Sequence, residues 1–82
     1  MREHLQRAQT AINREIDQIA AAMRAVEMAM SDAACSDAER DQMIGVRQYL
    51  RVSRDAAQEA QRHVEDMLTT IRLREEREAR RG

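Results

Sequence analysis

Apolar side chains recur at alternating steps of three and four residues in both halves of this chain, and this spacing restricts it to long helices that pack side by side. The first stripe, with only Gln9 out of place, is Leu5, Ile12, Ile16, Ile19, Met23, Val26 and Met30. The second stripe is Met43, Val46, Leu50, Ser53, Ala57, Ala60, Val64, Met67 and Ile71. Such heptad spacing is typical of coiled coils.

The composition agrees with an all-α fold. The 82 residues include no proline, two glycines and one aromatic residue, Tyr49, and 35% of them are charged. Chains of this length form a single small domain with little room for a core. The abundant Ala, Arg, Glu, Gln and Met are good helix formers. We therefore predict one domain over residues 1–82, built only from helices.

A helix start signal separates the two stripes. Ser36 followed by Glu39 forms an S-x-x-E capping box, and Asp37 adds negative charge to the first turn of the helix. We predict helix 1 at about 3–31, a turn at 32–36, helix 2 at about 37–78 and a frayed charged tail at 79–82. A turn this short makes the helices antiparallel neighbours in a hairpin. A single uninterrupted helix is the alternative, because neither glycine nor proline breaks the chain near the turn.

A pivot near residue 34 would pair positions whose numbers add up to about 68. It places Glu27 near Arg40 or Asp41, Met23 against Gly45 and Ala57 opposite Ala11. Helix 2 would then extend past helix 1 by about ten residues and leave four apolar side chains without a partner in the same chain: Met67, Leu68, Ile71 and Leu73. We predict that these four form a dimer interface and that two hairpins pair into a four-helix bundle.

The charges and the motifs restrict the classes of function that we expect for this chain. Formal net charge is −1, and all 14 basic residues are arginines. An arginine ridge on helix 2, formed by Arg40, Arg47, Arg51 and Arg54, is the predicted partner-binding surface. No phosphate-binding loop, paired-cysteine motif or metalloprotease motif is present, so we expect no enzymatic activity and no cofactor. No apolar run approaches the ~18 residues of a membrane span. A single cysteine is typical of a protein in a reducing compartment, so we expect a cytoplasmic location. We also expect no membrane partner.

Metal binding is the next alternative. The register places His4 and His63 at the same end of the hairpin, and Cys35 lies in the turn, but we predict no tight metal site at any of the three. "DAAC" ending at Cys35, "QMIGVR" at 42–47 and His63 resemble, locally, the copper- and formaldehyde-sensing repressors, whose Cys/His sites lie between subunits. The Cys-to-His spacing is longer than in that family and its Arg/Gly-Gln segment in helix 1 is missing, so we do not assign the chain to it.

These observations favour a non-enzymatic helical protein–protein interaction module. We expect a homodimer that acts as a small inhibitor, adaptor or chaperone of a larger bacterial or phage assembly. Two alternatives remain open: a metal- or small-molecule-sensing repressor, and a nucleic-acid binder that uses the arginine ridge, which we do not favour.

Overall fold

The computed structural model describes residues 1–81 and contains two helices joined by a short turn. Helix α1 spans Arg2–Met30 and helix α2 spans Asp37–Arg81, with no strand in this part of the chain. The helices pack against each other as a hairpin with extents of 68 × 15 × 14 Å. Its length equals that of α2, since 45 residues at 1.5 Å each span about 68 Å. The all-helical hairpin is therefore present.

The predicted capping box starts α2. The backbone N–H of Glu39 donates to Ser36 Oγ, and the backbone N–H of Ser36 donates to Glu39 Oε1, both at 3.1 Å. These reciprocal bonds satisfy two donors that the helix itself leaves free. Helix α2 begins at Asp37, as expected.

Helix α2 continues to Arg81, so residues 79–81 are helical rather than frayed. An Arg72–Glu76 pair at 3.9 Å and the arginines of the last turn, Arg80 and Arg81, stabilise this end of the helix. Gly82, the last residue of the predicted tail, lies outside the described residues.

The register of the hairpin differs from the predicted one. Glu27 pairs with Arg47 at 3.8 Å, and Gln61 donates to Asn13 at 2.7 Å. Arg54 lies 3.9 Å from the Met23 sulfur, and Arg2 pairs with Glu75. The residue numbers in these pairs add up to 74 or 77, about one heptad more than the predicted 68. The expected pairing of Glu27 with Arg40 is wrong.

This shift removes most of the predicted overhang. Ile71 lies level with Leu5 and is only 5% exposed, and Leu68 is half-buried between the helices. The expectation that Met67, Leu68, Ile71 and Leu73 all lack intramolecular partners is therefore wrong for Leu68 and Ile71. Only residues 76–81 extend past helix α1.

The shift also explains the alanines of the α2 stripe. Ala57 is buried, and in the observed register it lies level with Ile19 instead of Ala11. A small side chain on one helix thus faces a large one on the other, as close packing requires. The seam therefore needs no residues from a second chain at this level.

Candidate interaction surface

The seam uses the predicted residues of α1 and most of the predicted stripe of α2. Leu5, Ile12, Ile16, Ile19, Met23, Val26 and Met30 are all half-buried. On α2 the buried and half-buried residues are Arg40, Met43, Arg47, Leu50, Ser53, Arg54, Ala57, Gln58, Ala60, Gln61, Val64, Leu68 and Ile71. Val46 and Met67, predicted to be in the seam, are 49% and 47% exposed. Helix α2 is therefore rotated so that part of its apolar stripe faces outward.

One side of the seam is lined by polar and charged side chains, and we call it the polar flank. It carries the Glu27–Arg47 and Asn13–Gln61 pairs. Near the open end, Gln6 and Glu65 line the same groove. The aliphatic parts of Arg47 and Gln61 cover the seam here, and their polar ends bond to Glu27 and Asn13.

The opposite side is almost free of charge, and we call it the apolar flank. On α2 it comprises Val46, Tyr49, Ser53, Ala56, Ala60 and Met67. On α1 it comprises Ala8, Ala11, Ala22, Ala25 and Ala29. Their heptad positions relative to the seam place both sets on the same side. Met67 shares a groove with Met1 at the open end, and Ala29 shares one with Met43 at the turn.

Large and small side chains are divided between the two helices of the apolar flank. Tyr49 is 71% exposed, and Val46 and Met67 are also exposed, whereas α1 contributes alanines at heptad spacing. The exceptions to its apolar character include His4, Glu15 and Gln18 on α1 and Ser53 and His63 on α2. A surface of this shape and length fits another helical hairpin better than a small molecule.

Gly45 lies in the interior of α2 beside the apolar flank. A Cβ atom built there would meet nothing within 4 Å, so the predicted close contact with Met23 is wrong. A glycine inside a helix costs about 0.8–1.0 kcal/mol relative to alanine. Nothing within the hairpin compensates for this cost.

Three of the four arginines predicted to bind a partner make contacts within the hairpin. Arg40 donates from Nε to the Met30 carbonyl at 3.1 Å and from Nη2 to the Cys35 carbonyl at 3.4 Å, and so caps the C-terminus of α1. Arg47 pairs with Glu27, and Arg54 is half-buried against Met23. Only Arg51 is exposed on the predicted ridge. These arginines contribute to the turn and the polar flank instead of forming a free ridge.

The predicted metal candidates lie apart. In the observed register His4 is level with about residue 72, so it lies roughly nine residues, or about 13 Å, from His63 along the helix axis. His63 is 3.8 Å from Glu59 on its own helix. Cys35 is a free thiol in the turn. No group of three His, Cys, Asp or Glu side chains within residues 1–81 has a spacing that could hold a metal ion.

Glu39 is the titratable group with a clear shift. Hydrogen bonding with Ser36, chiefly through the serine side chain and then through its backbone N–H, lowers the pKa of the Glu39 carboxyl below 4.5. The lowered pKa results from the helix cap and is therefore a feature of the fold.

Comparisons with protein-family models, with curated proteins and with solved structures found no significant match. Among residues 1–81, neither helix has a stretch long and apolar enough to cross a membrane.

Proposed function

We propose that this protein is a non-enzymatic helical interaction module that packs its apolar flank against helices of another chain. It would serve as a small inhibitor, adaptor or chaperone of a larger bacterial or phage assembly in the cytoplasm. The single observation that carries the proposal is the exposure of large apolar side chains on this flank. Val46 and Met67 belong to the heptad stripe of α2 and Tyr49 lies beside it, yet all three are exposed.

The surface area of the hairpin supports the same proposal. It exposes 6410 Å², whereas a compact monomer of 9.5 kDa exposes about 5,000 Å². Among the described residues, Ala57 and Ile71 are the only buried apolar ones, and they remain 8% and 5% exposed. A two-helix unit of this size gains little stability from its own core. Packing against further helices would bury the excess surface.

The arginines weigh against the nucleic-acid alternative. Specific and non-specific binding to nucleic acid needs cations that are free to contact phosphates. Arg40, Arg47 and Arg54 are engaged in the turn and the seam. The apolar flank therefore takes the place of the arginine ridge as the proposed partner surface.

Affinity purification from the source cells with two matched variants tests the proposal. Val46→Asp places a charge on the apolar flank, whereas Ile44→Asp places the same charge on the polar side at similar exposure, since Ile44 is 45% exposed. We expect proteins that co-purify with the wild type to be lost with Val46→Asp and retained with Ile44→Asp. Retention with Val46→Asp and loss with Ile44→Asp would contradict the proposal.

A further inference from the structure

We propose that the apolar flank is occupied by a second copy of this chain, with the two hairpins related by a two-fold axis parallel to their length. This inference rests on the proposed function, because it names the occupant of the same surface. In this arrangement α1 of each copy lies along α2 of the other, and both turns are at the same end. Charge complementarity along the outer edges of the flank carries the argument.

The outer edge of α1 carries, at heptad spacing, Arg7, Arg14, Ala21 and Met28. The matching edge of α2 carries Gly45, Val52, Glu59 and Asp66, and the exposed Leu73 follows at the open end. The charged positions of both edges thus lie toward the open end, and the positions toward the turn are apolar. The charges on the two helices have opposite signs.

A two-fold axis parallel to the hairpin keeps every residue at its own level, so the register within one chain predicts the contacts between chains. Arg14 of one copy falls between Glu59 and Asp66 of the other, and Arg7 falls beside Asp66. Since the axis repeats each contact, the dimer has two such charged edges. Flanking pairs of this kind set the orientation of antiparallel coiled coils.

The turn end is complementary in shape. Met28, which is 75% exposed, lies along the segment of the other copy that contains Gly45 and Val52. The open space beside Gly45 receives a long side chain there, which gives this glycine a role that the hairpin alone does not. Tyr49 of one copy lies level with Ala25 of the other, again a large residue against a small one. Glu15 comes within a helical turn of His63 of the other copy.

The competing face-to-face arrangement has its two-fold axis across the hairpin. It places α1 on α1, so that Arg7 and Arg14 lie beside Met28 and Ala21 of the other copy. Glu59 and Asp66 then lie beside Val52 and Gly45. Charged side chains would meet apolar ones along both edges, which favours the parallel axis.

The area agrees with a stable dimer. The shared levels of α1, residues 4–29, span about 38 Å, and the hairpin is 15 Å wide. The flat projection is on the order of 600 Å² per copy, before helix curvature is counted, close to the ~800 Å² per partner of a standard interface.

Sedimentation equilibrium with charge-reversal variants tests the arrangement. One variant carries Arg7→Glu and Arg14→Glu, and the other carries Glu59→Arg and Asp66→Arg. Each variant alone places like charges along both edges, so its dimer dissociation constant should rise at least tenfold above that of the wild type. An equimolar mixture makes every edge pair complementary again and should form a heterodimer of wild-type affinity.

Matched controls exclude simple attraction between oppositely charged proteins. Arg24→Glu with Arg62→Glu, and Asp17→Arg with Glu65→Arg, produce the same net charges on the other side of the hairpin. Each control alone should dimerise as the wild type does. The inference is overturned if the wild type is a monomer at 100 µM, if the edge variants dimerise normally, or if their mixture does not regain affinity. A monomeric wild type would leave the proposed function intact with a foreign partner, whereas partner retention by Val46→Asp would remove that function whatever the oligomeric state.

Discussion

At the scale of single residues, Ser36 and Glu39 fix where α2 begins, because each caps the other's backbone N–H. Replacing Ser36 with Ala removes one acceptor and should lower the free energy of unfolding by about 1 kcal/mol. Thermal denaturation followed by circular dichroism measures this loss. Ser31→Ala is the control, since Ser31 follows α1 and should change stability by a few tenths of a kcal/mol at most.

The lowered pKa of Glu39 predicts a pH dependence. A carboxyl whose pKa is lower in the folded state contributes stability above its unfolded value of 4.5 and loses it as the pH falls through the folded value. Glu39→Gln keeps the capping geometry without the charge. The stability difference between the wild type and this variant should shrink between neutral pH and about pH 3. A constant difference in melting temperature over that range would contradict this prediction.

Gly45 provides a residue-scale test of the dimer. Gly45→Gln improves helix propensity, and a Cβ atom at this position meets nothing within 4 Å in its own hairpin. We expect the helicity of the isolated hairpin to rise while the dimer dissociation constant also rises, because Met28 of the other copy loses its space. Circular dichroism at low concentration and sedimentation at high concentration separate the two effects. Tighter dimerisation would contradict the assigned role of Gly45.

At the scale of elements, the spacing of apolar residues in α1 was enough to predict its seam, and the capping box was enough to predict the start of α2. The seam of α2 was not predictable in this way. Two stripes share Met43, Leu50, Ala57, Val64 and Ile71, and hydropathy favours the one that continues through Val46 and Met67. The observed seam also includes Arg47 and Gln61, because Arg47 forms an ion pair with Glu27 and Gln61 a hydrogen bond with Asn13 on α1.

The register could not be predicted from the sequence for a related reason. Shifting antiparallel helices by one heptad keeps the same faces in contact, so periodicity alone cannot distinguish the two alignments. Specific pairs decide between them. The apolar flank is not predictable from the same pattern either, because the heptad spacing assigns its Val46, Ser53, Ala60 and Met67 to the seam.

Cysteine cross-linking tests this register. In a Cys35→Ser background, Asn13→Cys with Gln61→Cys places thiols at two positions whose amide groups are hydrogen-bonded in the native hairpin, with Gln61 Nε2 2.7 Å from Asn13 Oδ1. Oxidation at low protein concentration should give an intramolecular disulfide. Asn13→Cys with Arg54→Cys matches the alignment shifted by one heptad and should remain reduced. The reverse result would restore the predicted pairing near 68.

At the scale of the whole molecule, the hairpin is a long, thin unit with a polar flank that holds its two helices together and an apolar flank that its own chain leaves open. The sequence indicated a four-helix bundle for a different reason, the overhang. The structure moves the proposed contact from the end of α2 to most of its length, and the charges along both edges select one orientation.

Small-angle X-ray scattering on the wild type tests the central claim, that two copies pair side by side along the apolar flank. The parallel two-fold arrangement doubles the mass from 9.5 kDa but adds only thickness. We therefore expect twice the monomer mass with a maximum dimension that stays close to the 68 Å length of one hairpin. A particle with the mass of one chain, or a dimer of about 100 Å or more in which copies overlap only at their open ends, would contradict it.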